Sequence, residues 1–157
     1  LEFRRVLFRS YITPYLYFLF ILWLPFTINR WALLVISFCY GMCLDYFMGF
    51  PGLHAAPCTL IAYLRPFLLQ LFIAKGTTEQ SYFEPGIKSM GFAPYALYVF
   101  LLTFIHHFYL VLIEWLQFGT FVYFICKVLA TTALSLILIS LTELLVLRNT
   151  KVRTNVE

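Results

Sequence analysis

The sequence predicts an all-α, polytopic membrane protein. The 157 residues are 62% hydrophobic and only 11% charged, where a soluble domain carries about 25% charged residues. So few charges cannot cover a water-facing surface, and the surrounding solvent is lipid. The apolar residues also gather in runs near the roughly 20 that a helix needs to cross a bilayer core. They lack the ten-residue alternation of barrel strands. Finally, Lys and Arg collect in the joints and near the ends. That is the pattern of membrane topology, and nucleic acid, which needs a basic face on a folded element, is excluded as a partner.

Five apolar segments follow in order. The first, 11–25, "YITPYLYFLFILWLP", is short. The second covers 31–48, the third 53–74, the fourth 95–116 and the fifth 121–147. Length separates these runs from strands, since periodicity alone does not. The joints are "TINR", a Gly-Pro turn, the polar "KGTTEQSYFEPGIKSMGFAP" and "QFGT". Residues 148–157 form a polar tail. At the front, "LEFRRVLFRS" has neither the apolar core nor the cleavage site of a signal peptide. It resembles translated adapter or vector sequence, so 1–10 is set aside and 11–147 is taken as the transmembrane domain.

Arg30 lies in the first joint, Lys75 and Lys88 in the third, and Arg148, Lys151 and Arg153 in the tail, whereas the second and fourth joints have neither Lys nor Arg. Positive joints face the cytoplasm. This predicts a cytoplasmic C-terminus and external second and fourth joints. Five spans would put Arg4, Arg5 and Arg9 outside, against the rule. A sixth native span ahead of the first removes the conflict, so six spans are expected in the natural protein.

The second joint poses the chemical question. "GMCLDYFMGFPGLHAAP" places Asp45 within an apolar run, one turn before Gly49, Pro51 and Gly52. An ionisable group in the membrane costs about 2.5–3.5 kcal/mol on insertion scales and calls for a partner. One reading has Asp45 accept hydrogen bonds from free N–H groups of the turn or of the next helix start, where donors are unpaired and the helix dipole is positive. The other has it contact a partner or carry protons. The first gives the turn its purpose: the glycines and proline make it short, and the aspartate holds it.

Arg65 stands before Pro66, which removes an N–H and frees a carbonyl one turn earlier. The guanidinium could satisfy that carbonyl, snorkel, or pair with an acid. His106 and His107 lie at mid-depth of the fourth segment, and Glu114 follows on the same face about 10 Å further along. Adjacent histidines point about 100° apart, unlike the i, i+4 pair of zinc helices, so a buried polar network of Arg65, His106, His107 and Glu114 is favoured over a metal site. Glu143 reads as interfacial, and Trp23, Trp31 and Trp115 as an aromatic belt. Cys39, Cys43, Cys58 and Cys126 include no C-x-x-C and read as small buried hydrophobes. No nucleophile motif stands out, and neither an enzyme nor a cofactor is expected.

The stretch "GMCLDYFMGFPGLHAAPCTLIAYLRPF" resembles the signature of the rod shape-determining protein MreD family. That family has an apolar helix ending in Gly-x-x-x-Asp, a Gly/Pro turn with a following Gly-Leu, and another helix. "AYLRPFLLQLF" and "FIHHFYLVLIEW" look like its Bacteroidetes-type version. The resemblance covers about 11–147, and the family's first helix has no counterpart. It implies the fold of the six-helix substrate-binding subunits of energy-coupling-factor transporters. It also implies a non-enzymatic scaffold of the bacterial inner membrane, serving cell shape and lateral peptidoglycan synthesis. The implied partners are a bitopic MreC-like protein and, through it, an actin-like protein and peptidoglycan synthases. The alternative function is a small-molecule-binding subunit of a membrane transporter. Small residues let helices approach in lipid, so the partner helix is expected at Gly41 and Ala56, or at Ala130 and Ala133.

Overall fold

The computed structural model describes residues 15–73, 84–118 and 121–145. The expected N-terminal segment 1–10, the tail 148–157 and the first part of the third joint, 75–83, lie outside them. The described residues form six helices: α1 (Leu19–Trp23), α2 (Arg30–Met48), α3 (Ala55–Phe72), α4 (Ile87–Met90), α5 (Phe92–Phe118) and α6 (Phe121–Leu145). Among the described residues there is no strand. Four of the helices, α2, α3, α5 and α6, are long and apolar enough to cross a membrane. The chain is therefore a helical, membrane-embedded protein.

The first apolar segment departs from expectation. Its described part, 15–25, holds the five-residue α1 in place of a spanning helix. Leu24, which precedes Pro25, is extended at ψ 148° and ends the helix; the proline ring disfavours the helical region for the residue before it. Phe18, Ile21 and Leu22 are fully buried, so one face of this segment packs into the bundle core, while Phe20 is 48% exposed. It runs along α6: the Tyr15 N–H donates to Ser135 Oγ (3.3 Å), and Trp23 Nε1–H donates to Glu143 (3.0 Å).

The helices pack in the order α2, α3, α5, α6, each against the next, with α1 beside α3. On α2 the buried positions are Leu33, Ser37, Gly41 and Asp45, a stripe with a period of four that seats on α3. Cys39 and Cys43 lie off that stripe and are exposed, as is Cys126; only Cys58 is buried as expected. Gly41 makes the closest approach: a Cβ there would lie 2.4 Å from Ala55 Cα. The outer faces carry Val35, Leu71, Val122, Leu129 and Ile137, all exposed, as lipid contact requires.

Candidate functional site

The α2–α3 turn is built from the ends of both helices. Gly49 takes the left-handed conformation (φ 74°) and closes α2, its N–H donating to the Asp45 carbonyl (2.9 Å). Gly52 also has positive φ, 88°. An L-residue with a Cβ resists that region, which is why glycine stands at both places and Pro51 fits between them. The α3 N-terminus has no cap from its own His54 side chain. Asp45 supplies it from α2. Its Oδ1 accepts from the His54 N–H (2.7 Å), and its Oδ2 from the N–H groups of Gly52 and Ala55 (both 3.0 Å). His54 Nδ1 lies 2.8 Å from the same Oδ1. Asp45 is 1% and His54 3% exposed. A buried carboxylate is tolerated only when its acceptor sites are filled, and here three backbone donors and an imidazole fill them.

From His54 a band of polar and aromatic side chains continues across the bundle. The His54 ring meets Tyr15 and Tyr17 edge-on, with centroids 5.8 and 5.6 Å apart. Tyr17 Oη lies 3.0 Å from His106 Nε2, and the His106 ring stacks on Phe18 at 4.5 Å. His107 sits 2.8 Å through Nδ1 from the Thr103 carbonyl and 3.0 Å through Nε2 from Ser135 Oγ. A carbonyl only accepts, so Nδ1 carries the proton; in the neutral ring Nε2 then accepts from the Ser135 hydroxyl. The pair thus faces two different partners. Among the described residues, no group of three or more His, Cys, Asp or Glu side chains converges as a metal site.

The four residues expected in one network fall into three places. His106 and His107 join the Asp45–His54 turn through Tyr17. Glu114 pairs instead with Lys127 of α6. Arg65 neither snorkels, pairs with an acid, nor satisfies the carbonyl freed by Pro66. Its Nε–H donates to Tyr98 Oη (3.2 Å), and its Nη2 donates to the Leu24 carbonyl at the end of α1. Tyr98 in turn donates to the Leu22 carbonyl (3.1 Å). Arg65 therefore caps α1, because that helix stops inside the bundle where water cannot reach its carbonyls. Glu143, expected at the interface, accepts from Trp23 Nε1–H and Tyr95 Oη–H. Tyr17, His54, Tyr98, Lys127 and Ser135 were missing from the sequence-derived set. Tyrosine hydroxyls inside apolar runs were the signal for Tyr17 and Tyr98; His54 and Lys127, an ionisable residue inside the fifth run, were visible as residues but not as partners.

Of the expected partner-facing residues, Gly41 is buried against Ala55 and is used within the chain. Ala56 and Ala130 are half-buried, and Ala133 is exposed. Comparison with family models, curated proteins and solved structures finds no match.

Proposed function

We propose that this chain is a non-enzymatic inner-membrane scaffold of the rod-elongation machinery, acting through a bitopic MreC-like partner with its C-terminus in the cytoplasm. The observation that carries the reading is the α2–α3 hairpin. The residues in which the resemblance resides, Gly41, Asp45, Gly49, Pro51 and Gly52, are those with structural duties there: close helix approach, cap and turn. The energy-coupling-factor-like six-helix form of the natural protein belongs to the same reading. The polar groups of the site are largely engaged with one another, which suits a rigid body better than a reacting centre. With Gly41 occupied internally, the α6 face at Ala130 and Ala133 is the better seat for a partner helix, since small residues permit close packing in lipid.

The test is affinity purification of the tagged chain from its native membrane. A bitopic coiled-coil protein should co-purify, and replacing Ala130 and Ala133 by Leu should weaken its recovery while the chain stays monodisperse. Depletion should round the cells. Unchanged rods together with no such partner would overturn the reading. The second reading, a small-molecule-binding subunit, is favoured by the convergence of Tyr17, His54, His106 and Ser135 from several parts of the chain. A stoichiometric ligand in the purified protein would select it.

A further inference from the structure

Two concavities on the outer face of the α2–α3 pair share Leu34 and Tyr63 and form one groove. At the turn end its floor is Gly52, Ala55 and Ala56, small residues that leave a shallow, open concavity along the seam of the two helices. Phe38, Tyr63 and Phe67 wall it. At the other end it opens at Arg30 and Trp31. The Arg30 guanidinium lies 5.5 Å above the Phe67 ring, so it is held at the groove mouth. Among the described residues it forms no ion pair. The first turn of α2 carries no acidic residue, and the positive end of the helix dipole adds to the same field. Trp31 is 76% exposed beside it. From Arg30 to Met42, twelve residues on α2, the groove runs about 18 Å at about 1.5 Å per residue. One leaflet of an approximately 30 Å core is about 15 Å.

We infer that this groove binds one anionic phospholipid, with the headgroup phosphate on Arg30 and Trp31 and an acyl chain laid along Leu34, Phe38 and Tyr63 to Ala56. The match is one of charge and length together: a cation with no ion pair among the described residues, and along the helix from it an open apolar groove about one leaflet long. A partner helix would leave the Arg30 charge unanswered, and a neutral lipid would answer it only in part. The inference stands apart from the scaffold reading, which seats its partner on α6.

The full chain is reconstituted in nanodiscs containing equal amounts of phosphatidylglycerol and phosphatidylcholine with the same acyl chains. Lipid retained on release is counted by native mass spectrometry. Phosphatidylglycerol should be retained about fivefold over phosphatidylcholine, the preference expected of one interfacial cation. Arg30→Gln should abolish the preference, Lys88→Gln should keep it, and Ala56→Leu, which fills the floor, should lower retention of both lipids. Millimolar inorganic phosphate should not displace the lipid. Equal retention by the natural sequence, or equal loss with Lys88→Gln, would overturn the site. A photoreactive group at position 63 supplies the second measurement in cells. It should give a lipid adduct, whereas a discrete protein adduct or a dimer of this chain would overturn the site.

Discussion

Asp45 shows how one side chain decides whether a membrane hairpin closes. Its two oxygens take three backbone N–H groups and face an imidazole in a nearly dry site. Each buried donor left unpaired costs about 1–3 kcal/mol. Asp45→Ala should therefore destabilise the chain by at least about 3 kcal/mol, seen as lower thermal stability in detergent and lower membrane levels. Asp45→Asn keeps one acceptor oxygen and should fall between. Glu143→Ala should cost less, because it serves two side-chain donors and one of them, Trp23 Nε1–H, also lies 3.2 Å from Tyr95 Oη as a second acceptor. Equal losses for Asp45→Ala and Glu143→Ala would refute the capping role. The aspartate was legible in the sequence because a carboxylate one turn before a Gly-Pro turn has few other uses. Its imidazole neighbour was visible as a residue but not as a partner, since only the folded turn brings His54 Nδ1 back to α2.

At the scale of elements, the long helices could be read from run length alone, while the first segment could not. Nothing in "YITPYLYFLFILWLP" distinguishes a spanning helix from a short one packed into the core of the bundle, because both are rich in apolar residues. The difference lies in what satisfies its free carbonyls, and that is Arg65 from α3 with Tyr98 from α5. Arg65→Lys should not be conservative here, since an ammonium lacks the planar fork that reaches two oxygens in fixed directions. A drop in thermal stability approaching that of Arg65→Met is the expected result; a Lys variant as stable as the natural chain would show that charge alone suffices. The α2–α3 contact gives a sharper test. A methyl at position 41 would meet backbone, which cannot rotate away. Gly41→Ala should cost about 1–3 kcal/mol by overpacking and should also misalign Asp45 four residues on. Gly49→Ala has open space around it but positive φ, so its cost should be nearer about 1 kcal/mol.

For the whole molecule, the four long helices pack in a row, α2 on α3, α3 on α5 and α5 on α6, and the first two differ in length from the last two. α2 and α3, at 19 and 18 residues, are about 27–28 Å long, whereas α5 at 27 residues is about 40 Å. Against an approximately 30 Å core, the first pair just spans and the second overreaches. The surplus of the second pair holds its own small cluster of Leu110, Val111, Phe124 and Val128, with the Glu114–Lys127 pair beside it. An ion pair is better placed near a membrane surface than at its centre, which fits that end emerging into water. An even number of crossings from α2 to the end of α6 puts Arg30, Lys88 and the polar tail on one side and the Gly49–His54 turn on the other. The proposed reading puts the first side in the cytoplasm, as the Lys and Arg distribution predicts. In a chain cleared of its natural cysteines, Pro51→Cys should therefore react with an impermeant thiol reagent in intact cells. Lys151→Cys should react only after the membrane is opened. Pro51 is exposed, so a failure to label there is not a matter of burial within the protein. Labelling of position 151 in intact cells would invert the orientation, and it would place Arg30 in the external leaflet, but it would leave the capped hairpin and its four-residue stripe as they are.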